Sequence, residues 1–210
     1  IIDVLRLSSY YILGDNMRLD HIAYRVKDRQ KTADFFQKCF GYKVGTEFRI
    51  KFEDGNSAEC IALAPPETRS DRTEDWVFKK LFPSHYAGPN DPVYHTDCEL
   101  HAPPEIFVSD GPVGSIVGDW VAERGGVGGV HHIAYQVDDV SAKMKEWKEL
   151  GFVEFYSDDP LVCKETNLTQ VFSKPSELTG VIYELITRGD DNKGFCEVNV
   201  KGLMESTKNV

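Results

Sequence analysis

The chain has 210 residues, 41% hydrophobic and 28% charged, enough for one sizeable core or two small ones and too few for a large multidomain machine. Against 34 Asp+Glu stand 24 Lys+Arg, a formal net charge of -10, and no basic arm or stripe offers a footing for nucleic acid or an anionic membrane. No apolar run reaches the roughly 18 residues of a spanning helix, no signal peptide is evident, and scattered cysteines without a C-x-x-C pair indicate neither a disulfide framework nor a zinc knot. A soluble, cytoplasmic protein is expected.

Residues 1–16 form an amino-terminal extension that reads equally as a helix or an edge strand. Then LDHIAYRV at 19–26 alternates as a half-buried strand does, and Asp28 is placed to cap an amphipathic helix near Gln30–Phe40 that Gly41 ends in a left-handed turn. Strands are predicted at Tyr42–Phe52 and Ala58–Ala64, and, after an insertion at about 65–104, at Glu105–Ser109. An insertion that long reads as a lid, arm or interface. Within it a short helix is expected at Trp76–Leu81, and His95, Asp97, Glu99 and His101 alternate in YHTDCELH as the polar edge of a lid or, by spacing alone, a metal site. Residues 112–129 read as a linker with a helix at Ser115–Arg124 and a flexible glycine run, GGVGG at 125–129, without the Lys-Ser/Thr of a phosphate loop.

From Val130 the chain repeats itself. VHHIAYQVDDVSAKMKEWKELGF at 130–152 lies over LDHIAYRVKDRQKTADFFQKCFGY at 19–42 after one gap, HIAY recurring at 21–24 and 132–135 with Val26/Val137 and Asp28/Asp139 matched. A helix follows at Ser141–Leu150, a stop at Gly151, and strands at Phe152–Tyr156, Leu168–Ser173 and Gly180–Thr187. Each unit is therefore βαβββ, and the fold class is α+β: two modules, 17–111 and 130–188, forming a curled mixed sheet around a cup, with a closing segment at 189–210.

Alternation puts His21 on one face with Ala23 and Arg25, and His132 with Ala134 and Gln136, while the opposite faces are core. A small residue beside each histidine leaves volume for a ligand. The plainer reading, a half-exposed strand with a surface histidine, is weakened by finding the pattern in both repeats. Glu184 interrupts the apolar strand GVIYELIT, a costly burial unless it is paired or holds a metal. If the modules pack about a pseudo-twofold, His21, His132 and Glu184 converge as the two-histidine, one-carboxylate set of non-haem Fe(II) sites; otherwise Arg25 or Lys174 neutralises Glu184. By the same alternation His131 points away from His132 and is read as structural. Cys163 and Cys196 lack a local base and are not read as nucleophiles.

These residues resemble the vicinal oxygen chelate superfamily, which includes glyoxalase I, methylmalonyl-CoA epimerase and extradiol dioxygenases. GGVHHIAYQVDDV at 128–140, LTQVFSKP at 168–175, GVIYELITR at 180–188 and GFCEVNVKGLMES at 194–206 are similar to the catalytic half of the 4-hydroxyphenylpyruvate dioxygenase family. The resemblance implies His21, His132 and Glu184 as ligands to Fe(II), the same groups also accepting Mn, Co, Ni or Zn. It implies Gln170, Ser109 and Asn199 as catalytic groups that orient the substrate, and Phe107, Gln170, Phe195 and Val200 as the substrate's surroundings. The final segment would close over the site as a helix. The implied partners are a 2-oxo acid and dioxygen, with no nucleic acid or membrane and a homodimer left open. Val200 stands where that family has an aromatic residue, so a phenyl ring is not the expected cargo. Two rivals share the fold: a redox-silent glyoxalase- or epimerase-like lyase or isomerase, and a protein that binds a small molecule without transforming it. The first needs a fourth ligand from the last strand of the first module, where Glu105 is the ready carboxylate and Phe107 lies nearer the middle.

Overall fold

The computed structural model describes residues 17–66, 104–151, 153–189 and 194–208. The extension at 1–16, the expected helix Trp76–Leu81 and the cluster His95, Asp97, Glu99 and His101 lie outside them. The first module comprises β1 (Arg18–Val26), α1 (Arg29–Phe40), β2 (Lys43–Lys51), β3 (Ser57–Ala64) and β4 (Glu105–Asp110). After α2 (Ile116–Glu123) come β5 (Gly128–Gln136), α3 (Val140–Leu150), β6 (Leu161–Cys163), β7 (Leu168–Phe172) and β8 (Ile182–Thr187), and the closing segment is α4 (Glu197–Ser206).

The eight strands form one sheet in the order β2-β3-β4-β1-β5-β8-β7-β6. Each module's first strand runs parallel to its last, β1 with β4 and β5 with β8, and the modules join where β1 and β5 pair antiparallel. That order reads the same from either edge, as a pseudo-twofold requires. Among the described residues no helix is long and apolar enough to cross a membrane.

The helices start and stop where the chain's short polar residues and glycines place them. The Asp28 carboxylate accepts the Lys31 N–H and the Asp139 carboxylate the Ala142 N–H, while Gly41 (φ 77°) and Gly151 (φ 74°) end α1 and α3 in the left-handed region. On the convex face of the sheet α1 covers Leu63, Val108 and Tyr24, and α3 covers Val171 and Leu185 through Met144. Side chains of this size each contribute about 1.5–3 kcal/mol when fully buried. Inside the curl, Ala23, Ala62 and Phe107 meet Val117 of α2 and Val200 and Met204 of α4. The concave face is therefore roofed by the closing helix.

Three expectations fail. The strand predicted at Phe152–Tyr156 reduces to a single bridge, Phe155 to Ser173, and the edge strand is Leu161–Cys163. Phe155 is instead drawn into the core against Trp147 and Val171, so the apolar signal marked an anchor and not a ladder. The second failure is the absence of disulfides: Cys163 on β6 is bonded to Cys196 at the N-cap of α4, with Cα atoms 6.4 Å apart. Thirty-three residues separate the pair, and only the return of α4 across the sheet edge brings them together. Disulfides persist in oxidising compartments, so the pair gives no support to the expected cytoplasmic location.

The third is His131. Pairing of β1 with β5 slips twice, leaving Asp20 and His131 each as an extra residue in its strand. Such β-bulges break strict alternation and re-aim a side chain, and His131 is buried against the same cavity as His132 rather than opposite it. Just before this bulge Gly128 takes φ 84°, where an added Cβ would lie 2.3 Å from the Arg25 carbonyl oxygen. Gly128→Ala is therefore expected to lower the unfolding free energy by about 3 kcal/mol. Urea denaturation at unchanged slope measures this, and a loss below about 0.5 kcal/mol would refute it.

Candidate metal centre

The central seam delivers the triad. His21 comes from β1, His132 from β5 and Glu184 from β8, while Ala23 registers with His132 and Ala134 with Glu184. Each small residue of the HIAY tetrads thus leaves room beside a candidate ligand. Nε2 of His21 lies 3.3 Å from Nε2 of His132, and Oε2 of Glu184 lies 3.3 Å from the first and 3.1 Å from the second. Three donors about 2.1 Å from one cation stand about 3.0 Å apart at right angles and about 3.4 Å apart in a tetrahedron. The observed triangle falls between. Nitrogen, nitrogen and carboxylate oxygen suit Fe(II), Zn and their neighbours, so the residues present fit a divalent metal. Among the described residues they form a compact ligand group.

The far atom of every ligand is held. His21 Nδ1 donates to the Asp20 carboxylate at 2.7 Å, and that carboxylate takes a two-pronged pair from Arg188 at 2.7 and 2.8 Å. A proton fixed on Nδ1 leaves the Nε2 lone pair for a metal. His132 Nδ1 meets His131 Nδ1 at 2.8 Å. Gln170 Nε2 donates to Glu184 Oε1 at 2.6 Å, and Gln170 Oε1 accepts from Asn199 Nδ2 at 3.1 Å. The two bulged residues, Asp20 and His131, therefore do equivalent work in the two modules. Sequence reading missed Asp20 and Arg188. The signal was present, since Asp20 and His131 occupy the same place before HIAY, but alternation sends both to the wrong face.

Electrostatics ties the triad together. Burial works against a charge on His21, yet Glu184 and then Asp20 outweigh it and lift the imidazole to about 9. Burial alone would raise Glu184, but His21 and His132 hold it down at about 2. His132 is pushed below its ordinary value by burial, with His21 and Arg25 adding to the effect against Glu184. One proton on His21 thus balances the buried carboxylate, in the position where a cation would do so.

Of the other expected residues, Ser109, Phe107, Phe195, Gln170 and Val200 line the cavity over the triad. The Phe107 and Phe195 rings lie 4.9 Å apart, and Phe195 packs edge-on to His21 at 5.1 Å. Asn199 sits behind the wall, its amide donating also to the Leu168 carbonyl. Neither cation suggested for Glu184 reaches it: Lys174 pairs with Glu154 at the surface, and Arg25 donates to Thr207. Glu105 registers with His21 but stands outside the ligand triangle.

Residues 18–158 match the family model of the Glyoxalase/Bleomycin resistance protein/Dioxygenase superfamily. The chain belongs to this superfamily. Among solved structures of the superfamily's fold, a triple mutant of 4-hydroxymandelate synthase from Streptomyces coelicolor aligns with a TM-score of 0.66 at 18% identity over 91% of this chain and 54% of that one. This chain spans about half the length of that protein. Methylmalonyl-CoA epimerase from Mycobacterium tuberculosis aligns at 0.52 and 17% identity over 82% and 88%. A point variant of the Streptomyces coelicolor epimerase, in complex with 2-nitronate-propionyl-CoA, aligns at 0.51 and 22% over 82% and 97%. At these identities the likeness is one of fold. No curated protein matches the sequence.

His132→Ala or Glu184→Ala is expected to abolish stoichiometric metal retention, and Asp20→Asn to weaken it 10- to 100-fold by loosening His21, as read by metal titration. The pH dependence follows from the same groups. The raised His21 pKa stabilises the metal-free fold fully below about 6.5 and progressively less towards 9; the lowered Glu184 pKa stabilises it above about 4.5 and is lost towards 2. His132 and His131, both held below their ordinary value of 6.5 chiefly by burial, cost stability as pH falls below 6.5, so the metal-free Tm should peak near pH 6.5. The increment in Tm on adding metal should grow from pH 6.5 to 9, because metal must displace the His21 proton. A pH-independent increment would refute this assignment.

Proposed function

We propose that this protein is a non-haem Fe(II) dioxygenase that oxidatively decarboxylates a 2-oxo acid, resembling the 4-hydroxyphenylpyruvate dioxygenase family. The observation that carries the reading is a broken symmetry. Glu184 registers with Ala134, two residues past His132, and the equivalent place in the first module, in register with Ala23 two residues past His21, holds Phe107. A carboxylate there would complete a four-ligand site of the kind redox-silent isomerisation uses. A phenyl ring there favours three ligands on one face, with room opposite for a chelating substrate and dioxygen.

Fe(II), when bound, supplies Lewis acidity and redox chemistry, the 2-oxo acid's own decarboxylation furnishing electrons without external 2-oxoglutarate. The chain's part is positioning. Gln170 fixes the Glu184 carboxylate and is itself fixed by Asn199, so the ligand oxygen facing the cavity does not swing. Ser109 offers a hydroxyl to the bound molecule, Phe107 and Phe195 give it apolar walls, and Val200 on α4 helps exclude water.

A glyoxalase- or epimerase-like lyase or isomerase is the second reading. It is favoured by Glu105 standing in register with His21 and by the epimerase fold likeness, and it requires Glu105 to turn onto the metal. Anaerobic protein with Fe(II) and a 2-oxo acid is expected to develop a weak visible absorption band, and admitting air should consume dioxygen and release carbon dioxide in equal amounts. Turnover of an acyl thioester or thiohemiacetal, with no oxygen uptake across a panel of 2-oxo acids, would establish the second reading instead.

A further inference from the structure

Arg25 lies on β1 four residues beyond His21, on the same face, and lines the same cavity at 2% exposure. One nitrogen, Nη2, donates to Thr207 Oγ1 at 2.8 Å, and Nη1 is buried with no partner. Among the described residues no Asp or Glu forms an ion pair with it. The Trp120 ring of α2 has its centroid 5.7 Å from the guanidinium. A guanidinium taken out of water without a counter-ion is a standing cost, and such groups are otherwise paired or bound to ligand.

A second orphan stands beside it. If His132 is to offer Nε2 to a metal, its Nδ1 carries the proton and donates to His131 Nδ1, which leaves the His131 proton on Nε2. That Nε2 is buried without a partner, and the His131 ring lies edge-on to the same Trp120 at 5.7 Å. Two buried, unsatisfied N–H donors, one of them cationic, thus flank one indole on residues that line the cavity holding the triad.

We infer that Arg25 and His131 form a receptor for a carboxylate at the far end of the substrate, so that the molecule this cup accepts is a 2-oxo diacid. This rests on the preceding reading for the metal-chelating end. Charge balance agrees. Asp20 and Arg188 cancel, Glu184 removes one charge from a bound dication, and Arg25 adds one, leaving two positive charges that a dianionic substrate would neutralise. One guanidinium with one neutral imidazole N–H suits a carboxylate better than a phosphate, since among the described residues the cavity wall contributes neither lysine nor a second arginine.

The test measures binding to the zinc-loaded protein by calorimetry, comparing 2-oxoadipate with 2-oxohexanoate, which share chain length and head group. The parent protein is expected to bind the diacid at least about tenfold more tightly. Arg25→Met should bring the diacid down to the affinity of the monoacid, Arg25→Lys should keep part of the preference, and His131→Phe should reduce it. Without ligand, Arg25→Met should be no less stable than the parent, because it removes an uncompensated buried charge. A fall in Tm with the diacid preference intact would mean that Arg25 only pins Thr207, and would overturn the inference. Equal affinity for both acids with oxygen uptake preserved overturns this inference alone. A diacid preference without oxygen uptake overturns the oxygenase alone, and failure of both acids to bind overturns both.

Discussion

The antiparallel pairing of β1 with β5 is the constraint from which the cup follows. It sets the first strands of the two modules side by side, so residues about half a chain apart present imidazoles to one another at 3.3 Å. Glu184 reaches them only because β8 runs parallel to β5 in a register that places it beside Ala134. Remove that seam and no local motif remains, since neither module holds more than two of the three candidate ligands. The buried carboxylate in turn depends on the histidines, being tolerated at 1% exposure because a positive charge answers it.

Much of this arrangement was legible in the amino-acid order. The HIAY tetrads, the Asp and Gly that bracket each long helix, and a lone Glu in an apolar strand are local signals, and in the folded chain the Asp and Gly cap the helices while both tetrad histidines and Glu184 are buried together. What stayed hidden depends on departures from periodicity or on contacts between distant segments. Asp20 and His131 join the surroundings of the His21–His132–Glu184 cluster through bulges, and a bulge leaves no mark in an alternating pattern. Cys163 and Cys196 meet by topology alone. The edge strand Leu161–Cys163 is too short to announce itself, while Phe155 carries the apolar character of a strand and serves as a core plug.

The two modules share a skeleton and divide the chemistry unequally. The first gives one candidate ligand, His21, supported by a carboxylate and an arginine; the second gives two, supported by a histidine and an amide. Phe107 in the place of a second Glu184 makes the cup one-sided, with hydrocarbon where a fourth carboxylate or imidazole would stand and Arg25 further along the strand that carries His21. A symmetric fold thereby yields a directional cavity.

The disulfide bears on how α4 is held. Cys196 welds the first turn of α4 to the sheet edge, whereas the far end of the helix is retained by weaker ties, the Arg25–Thr207 hydrogen bond and a surface pair between Lys208 and Asp54. A rod fastened covalently at one end is most constrained there. The freedom left to α4 therefore lies at its Thr207 end, which is tied to a residue of the cavity wall, and reducing the sulfur link would leave both ends to noncovalent contacts.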